Sequence, residues 1–268
     1  HVAGFTGAVR MVSVVGDDGK FKRVQNLLDP AAIDCHLVVR ESASTIVKQR
    51  FIELDTSTKM FELTTMDDSP ISGETEGKLI AVLAKNIEWA NMVLLADFGH
   101  GMITPSVINF LSNSGIFLAV NAQTNSANTP YNPVTKYNGI WYLSLDEKEL
   151  RLAFHSRYEL PEELLPKLAA VTGCDAINLT LGSNGAIYWY KGKPLYVPAF
   201  MPSSVLDSTG AGDAVLSVTS LLACKGVQPE LLPFIGNCVG AVAVGILGNK
   251  EPVRPQALYD FIYDLLSE

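Results

Sequence analysis

Short apolar runs alternate with longer segments of helical period along most of the chain. Met92–Ala96 is followed by the helical segment Pro105–Leu111 and then by the run Ile116–Val120. A strand, a helix and a second strand in this order are typical of βαβ units, so the pattern predicts an α/β protein with a mainly parallel sheet. Four further strands are predicted at Val9–Val15, Ala176–Thr180, Ala186–Tyr190 and Leu195–Val197.

One region departs from this alternation. Thr45–Phe51 and Lys59–Thr65 are two β-prone runs joined by the polar stretch Asp55–Thr58, which predicts a β-hairpin. Such a pair is either a flap on the main sheet or two edge strands with no role beyond the fold. The last third of the chain is predicted to be helical, at Ala211–Lys225, Pro229–Leu247 and Pro255–Leu266.

Composition narrows the class of protein. The 268 residues are 48% hydrophobic and 18% charged, which is ordinary for a folded protein with a sizeable core. A formal net charge of −8 repels polyanions, so nucleic-acid binding through phosphate neutralisation is not expected. The four cysteines form no CxxC pair, which favours free thiols and a cytoplasmic location.

Neither a membrane span nor a leader is predicted. The most apolar stretch, Phe234–Gly248, is shorter than the roughly 20 residues that a bilayer requires. The chain opens without methionine on His1–Phe5, which resembles the tail of a helix, and we expect a further segment to precede it.

The segment Leu206–Leu216 carries the clearest candidate chemistry, because a glycine-rich turn runs directly into an apolar helix. Backbone N–H groups at such a helix start form an anion site, and Gly210 and Gly212 let a phosphate approach the backbone closely. Asp213 beside that site could take the proton of an attacking hydroxyl, as a kinase base does. Alternatively, Ser208, Thr209 and Asp213 cap the helix, and the turn alone favours this simpler interpretation.

Other nucleotide and nucleophile motifs are missing from the sequence. It contains no GxxxxGK[ST] P-loop, no GxSxG, and no GxGxxG after the first predicted strand. These absences disfavour P-loop enzymes, acyl transfer and dinucleotide binding.

Three segments together resemble a known family. Asp207–Asp213 matches the D-x-T-G/A-A-G-D signature of the ribokinase-like (PfkB) carbohydrate kinases. Asn178–Gly185 is similar to the T-x-G-x-x-G turn of the family, and Gly236–Gly245 to the helix beside its adenine pocket. The likeness extends over nearly the whole chain.

Within this family the chain most resembles the heptose 7-phosphate kinase domain of ADP-heptose synthesis. Thr45–Arg50 is similar to the lid strand of that subgroup and Asp97–Gly101 to its D-Y-x-K-G loop. The resemblance implies a ribokinase-like three-layer α/β sandwich with a mostly parallel central sheet and a small β-hairpin lid. It further implies a single kinase domain over residues 1–268, lid strands inserted at about 38–66, and a homodimer formed through those strands.

The same resemblance implies an enzyme that moves the γ-phosphoryl group of ATP, with Mg²⁺, to a hydroxyl of a sugar or sugar phosphate. By similarity Asp213 is the general base, and the anion turn consists of Gly210, Ala211 and Gly212. The nucleotide site would comprise Thr180, Gly182, Gly185, Asn237, Asp146 and Glu149, with Glu149 acting through the water molecules of Mg²⁺. A K⁺ site would involve Asp207 and Thr209, and the acceptor would contact Lys48, Arg50, Asp97 and His100.

Several of these residues also have simpler interpretations. The two glycines of the nucleotide site could merely turn a hairpin, Asn237 could link helices, and Asp146 could begin a solvated helix. Lys48 and Arg50 share one face of a strand, which suits a phosphorylated acceptor but also protects an edge strand from aggregation.

The sequence departs from the family pattern at three places. The early sugar-binding strand and the G-G-x-x-N motif would lie before His1. His100 stands where the subgroup has Lys, and Asn121–Gln123 stands where D-P-K is usual. These departures imply that either the acceptor differs from heptose 7-phosphate or the activity is reduced. Two alternatives to a sugar kinase remain open. One is a nucleotide- or sugar-binding relative without turnover, and the other is a different α/β nucleotide enzyme.

Overall fold

The computed structural model describes residues 1–53, 58–124, 128–200, 202 and 205–267. These residues form two compact units. The first unit comprises His1–Gly7, Trp89–Gly99 and Ile108–Glu268, and the second comprises Ala8–Glu88 and His100–Val107. The prediction of one domain with inserted lid strands stays a prediction.

The strands of the described residues are β1 Val9–Gly16, β2 Ile33–Arg40, β3 Val47–Glu53, β4 Thr58–Thr65, β5 Met92–Asp97, β6 Phe117–Ala122, β7 Tyr142–Asp146, β8 Ala176–Thr180, β9 Ala186–Tyr190 and β10 Lys193–Val197. The α-helices are α1 Val2–Phe5, α2 Phe21–Leu28, α3 Gly73–Ile87, α4 Pro105–Ser112, α5 Glu147–Ala153, α6 Pro161–Thr172, α7 Ala211–Cys224, α8 Leu231–Ala243 and α9 Pro255–Ser267. None of the helices in this described part is long and apolar enough to cross a bilayer.

The sheet of the first unit has six strands in the order β10-β9-β8-β7-β6-β5. Strands β5 to β8 are parallel, whereas β9 and β10 are antiparallel to their neighbours. The prediction of a mostly parallel sheet is therefore confirmed. Because the parallel strands run the same way, their carboxyl ends share one edge, where open α/β sheets bind ligands.

The sheet is covered on both faces. On β7, four successive residues, Tyr142 to Leu145, are all buried although their side chains alternate between the two faces. Helix α7 packs on β5 to β7, and α8 packs on β9 and β10. Leu216 of α7 belongs to the same apolar cluster as Tyr142 and Tyr188. This packing fixes the start of α7 relative to the carboxyl edge of the sheet.

The second unit contains a parallel pair, β1 and β2, with α2 and α3 packed against it, and an antiparallel hairpin of β3 and β4. The predicted hairpin is therefore confirmed, whereas most of its predicted polar turn, residues 55–57, lies outside the described residues. The segment before β3 is fixed by Asp18, whose carboxylate accepts hydrogen bonds from the Oγ1 and backbone N–H of Thr45 at 2.7 and 3.1 Å.

Candidate active site

The carboxyl edge of the sheet in the first unit collects polar groups from four strands. Asp97 ends β5 and pairs in register with Ala122 of β6, and Asp146 ends β7 opposite Thr180 of β8. Gln123 follows β6 directly. The strand ends therefore surround a position that is typical of ligand sites in this class of sheet.

The glycine-rich turn leads into α7 as the sequence predicts. Gly210 is the N-cap residue and has left-handed backbone angles, φ 81° and ψ 0°. Gly210 has no side chain with which to cap the helix, and the N–H of Ala211 donates to the carbonyl of Ser208 at 3.3 Å. Helix capping by Ser208, Thr209 and Asp213 and an anion site formed by first-turn N–H groups therefore both stay predictions.

Gly212 is an open position on the first turn of α7. A Cβ added there would meet no atom of the described residues within 4 Å, and its φ lies outside the left-handed region. Neither packing nor backbone conformation in this chain thus requires glycine at 212. A role of Gly212 in admitting a phosphate to the helix start stays a prediction.

The turn is held from behind by Asp207, whose side chain is buried. Its Oδ1 accepts the backbone N–H of Thr209 at 2.9 Å, and its Oδ2 accepts that of Gly248 at 3.1 Å. The carbonyl oxygen of Val244 accepts the N–H groups of Leu206 and Asp207. Helix α8 ends at Ala243, before the predicted end at Leu247, and the carbonyl of Val244, which has no donor within the helix, accepts from the turn instead.

Asp213 lies in the first turn of α7, and its Oδ1 accepts a hydrogen bond of 2.5 Å from Nε2 of Gln123. Burial raises the pKa of the Asp213 carboxyl above its usual value, and the hydrogen bond from Gln123 opposes that rise. A carboxylate with a raised pKa is a better proton acceptor. The geometry therefore suits a general base.

Asp146 and Glu149 form a capping box at the start of α5. The Asp146 Oδ1 accepts the N–H of Glu149 at 2.7 Å, and the Glu149 Oε2 accepts the N–H of Asp146 at 3.0 Å. Burial, followed by the charge of Asp146, raises the pKa of Glu149 to about 7. The simpler role of Asp146 at a helix start is therefore observed, and contacts of both residues with nucleotide or Mg²⁺ stay predictions.

The residues predicted to contact nucleotide are placed around the β8–β9 connection and α8. Thr180 Oγ1 donates to the carbonyl of Leu145 at 3.4 Å, and Asn237 Nδ2 donates to the carbonyl of Pro198 at 2.8 Å. Gly182 begins the turn between the strands. At Gly185 a Cβ would lie 2.1 Å from the carbonyl oxygen of Val197, so close backbone approach alone requires glycine there. The nucleotide roles stay predictions beside these structural ones.

Asp97 lies at the centre of a buried network that the sequence did not reveal. It is 3% exposed. Its Oδ2 lies 2.5 Å from Nζ of Lys136 and accepts the hydroxyl of Tyr137 at 2.7 Å, and its Oδ1 accepts the N–H of Gly99 at 2.9 Å. Asp97 therefore anchors the segment after β6, and a direct contact with a substrate stays a prediction.

In the second unit, Lys48 and Arg50 lie on β3 and share one face of the hairpin, as predicted. Arg50 pairs with Glu62 across the hairpin at 2.8 Å, which is an ordinary cross-strand ion pair. His100 is half-buried at the start of the segment 100–107. Acceptor binding by these three residues stays a prediction.

A protein-only metal centre is not apparent: within the described ranges, no three His, Cys, Asp or Glu side chains group as metal ligands. The roles predicted for Asp207 and Thr209 with K⁺ stay predictions.

The sequence of this chain is similar to that of a known family of enzymes. Residues 2–254 match the model of the pfkB family carbohydrate kinases. The bifunctional protein HldE of Bradyrhizobium diazoefficiens is 31% identical over 256 residues, which are 93% of this chain and 51% of that protein. HldE of Aliarcobacter butzleri is 25% identical over 94% of this chain and 52% of its own length. The chain therefore spans about half the length of these curated relatives.

Solved structures show the same fold. Phosphofructokinase-2 of Escherichia coli, crystallised with potassium, superposes with a TM-score of 0.80 at 14% identity, over 100% of this chain and 85% of that one. Arabidopsis thaliana ribokinase complexed with ribose and ATP gives a TM-score of 0.73 at 17% identity, over 97% and 83% of the two chains. The expected ribokinase-like α/β fold is thus confirmed.

The match over nearly the whole chain also removes the alternative of an unrelated α/β nucleotide enzyme. The first turn of α7, the anchored Asp207 and the half-buried Asp213 lie within the matched range. The chain belongs to the pfkB family of carbohydrate kinases.

Proposed function

We propose that this chain transfers the γ-phosphoryl group of ATP to a hydroxyl of a sugar phosphate that resembles heptose 7-phosphate. The observation that carries the proposal is the position of Asp213, which stands in the first turn of α7 directly after the open position Gly212. Proton acceptor and anion site are thereby adjacent, as phosphoryl transfer requires.

Asp213 accepts the proton of the acceptor hydroxyl. The freed oxygen forms a bond to the γ-phosphorus while the bond from that phosphorus to the β–γ bridging oxygen breaks, and ADP leaves. The N–H groups of Gly210, Ala211 and Gly212 face the charge on the transferred group, assisted by the dipole of α7.

ATP and a divalent metal follow from the family, and the residues present fit them. The open space over Gly212 admits a phosphate at a helix start. Mg²⁺ on the nucleotide phosphates would supply neutralising charge, Glu149 would hold its water molecules, and Asp146 would border the nucleotide. Thr180, Gly182, Gly185 and Asn237 line the nucleotide site, and Asp207 with Thr209 supplies oxygens for K⁺.

The acceptor class rests on residues of the hairpin together with similarity to HldE. Lys48 and Arg50 place two cations on one strand face, and a phosphorylated acceptor offers the matching charge. Asp97 and His100 complete the acceptor residues in this proposal. His100 lacks the permanent charge of lysine, so the sugar that fits best can differ from heptose 7-phosphate.

Release of ADP from MgATP is the direct test, measured with heptose 7-phosphate, fructose 6-phosphate, ribose and free heptose. We expect acceptor-dependent ADP release that falls at least about a thousandfold in Asp213→Asn, because the base is lost. Wild-type protein that binds ATP but turns over no acceptor would instead support a binding-only relative.

Lys48→Met tests the acceptor class separately. We expect KM for a phosphorylated acceptor to rise about tenfold while KM for ATP is unchanged, since one phosphate contact is lost. Lys78→Met is the matched control because Lys78 forms an exposed pair with Glu74 on α3. Equal effects of both substitutions on the acceptor KM contradict a phosphate contact by Lys48.

We also propose a homodimer formed through the hairpin. Phe51, Phe61 and Leu63 are exposed apolar residues on the face of β3 and β4 opposite Lys48 and Arg50. Phe51 and Phe61 stack at a centroid distance of 4.4 Å. A cluster of this kind is typical of an interaction surface.

A further inference from the structure

We propose that Gln123 is a positioning residue for Asp213: its side-chain amide fixes one carboxylate oxygen and leaves the other directed at the acceptor hydroxyl. This inference rests on the proposed kinase function and adds a residue to it. Neither the signature around Asp213 nor the resemblance to relatives assigned a role to Gln123.

The contact joins two elements that are far apart in sequence. Gln123 directly follows β6, Asp213 lies in the first turn of α7, and the Nε2 to Oδ1 distance is 2.5 Å. A hydrogen bond to an ionised carboxylate is among the stronger kinds in proteins. Since Oδ1 is engaged, rotation of the carboxylate is restricted and Oδ2 keeps a defined direction.

Gln123 is itself held in place by buried groups. Its N–H donates to the carbonyl of Asp97 at 2.8 Å, and its own carbonyl accepts from Nδ2 of Asn132 at 3.0 Å. Asn132 is buried, and its Oδ1 accepts from Nζ of Lys136 at 2.6 Å. The carbonyl of Asp97 and the side chain of Asn132, itself bonded to Lys136, therefore hold the backbone from which the Gln123 amide reaches Asp213.

The chemistry of an amide suits this task. An amide orients the carboxylate without adding a positive charge, whereas the lysine that is usual in the D-P-K pattern would stabilise the ionised form more strongly. Burial keeps the pKa of Asp213 raised even though Gln123 opposes it. A neutral donor thus combines a fixed geometry with a basic carboxylate.

Gln123→Leu and Gln123→Lys test the inference, with Gln256→Leu as a matched control. Gln256 makes the same kind of bond, Nε2 to an aspartate Oδ1 at 2.7 Å, but on the exposed surface of α9. For each protein we would measure kcat and KM against pH, and the pKa of the Asp213 carboxyl by carbon NMR, assigned with Asp213→Asn.

Gln123→Leu is expected to lower kcat about tenfold to a hundredfold, with KM for ATP within about twofold. The pKa of Asp213 is expected to rise, because a hydrogen bond to its ionised form is lost. The rising limb of the kcat–pH profile, where kcat increases as Asp213 ionises, shifts to higher pH for the same reason. Gln123→Lys moves both to lower pH. A merely structural role does not move the limb in opposite directions for the two variants.

An unchanged kcat and an unchanged Asp213 pKa in folded Gln123→Leu overturn the inference. If that variant does not fold, Gln123→Lys decides, since a limb that stays in place contradicts the assignment. Absence of turnover in the wild type overturns the proposed function instead. Even without turnover, the NMR titration tests the pairing by itself. An Asp213 pKa that is the same in wild type and in both Gln123 variants would show that Gln123 does not act on Asp213.

Discussion

The ammonium of Lys136 lies 2.5 Å from the carboxylate of Asp97, and it also donates to Asn132 at 2.6 Å. Asp97 is almost completely buried, whereas the Lys136 side chain is 26% exposed. One lysine thus neutralises the buried charge that ends β5 and orients the amide that holds Gln123. Lys136 therefore contributes both to stability and to the placement of Gln123, the proposed positioning residue.

Lys136→Met is expected to lower the free energy of unfolding by about 2–4 kcal/mol, because Asp97 stays buried without its charged partner. Urea unfolding followed by circular dichroism measures the change. Lys78→Met, which removes an exposed pair on α3, should cost less than about 1 kcal/mol. Equal losses in the two variants would contradict a structural role for the buried pair.

Gly212→Ala should separate stability from activity. The added Cβ meets nothing within 4 Å among described residues, so stability is expected to be unchanged or to rise by up to about 1 kcal/mol. Activity should fall at least about tenfold, since the methyl group occupies the space above the helix start where a phosphate binds.

The matched control for that variant is Gly77→Ala on α3, where an added Cβ is also free of contacts. We expect a similar gain in thermal stability and full activity. If Gly212→Ala retains wild-type kcat and KM, the first turn of α7 does not hold the transferred phosphoryl group.

Much of the sheet and the glycine-rich turn before α7 could be predicted from local sequence. The bounds of β8 and β9 agree with the predicted Ala176–Thr180 and Ala186–Tyr190, because each is a short apolar run bounded by turn residues. The signature around Asp213 likewise lies within one continuous turn and helix. Such features depend on neighbours in sequence.

Contacts between distant segments could not be predicted in this way. Lys136 and Tyr137 meet Asp97 about 40 residues after it, and Gln123 meets Asp213 across 90 residues. The hydrophobic periodicity of the sequence does not indicate which polar side chain will face which strand end. Asp146 and Glu149 show the converse, since their i, i+3 spacing is itself the signal of the capping box that they form.

Glu149 should make the free energy of unfolding depend measurably on pH. Its pKa is raised from 4.5 to about 7, so the folded state binds this proton more tightly than the unfolded state does. The associated stability is fully present below about pH 4.5 and is lost as pH rises through about 7, a change of about 3 kcal/mol.

Glu149→Gln removes that titration. Without nucleotide or metal, urea unfolding at pH 4 and pH 8 should show wild type losing about 3 kcal/mol relative to the variant. All other titrating groups are common to both proteins, so they cancel in the difference. Parallel stability curves over this range would show that Glu149 ionises normally.

Leu63→Lys tests the hairpin as a dimer surface. A lysine on the apolar face of β4 is expected to lower the sedimentation mass from about twice the 29.0 kDa chain mass to that of a monomer, because a charge in the interface would lose its hydration. Leu27→Lys, at a comparably exposed leucine on α2, is the control and should leave the mass unchanged. A wild-type protein that sediments as a monomer at micromolar concentration would refute the dimer, and the exposed Phe51–Phe61 stack would then serve only the packing of the hairpin itself.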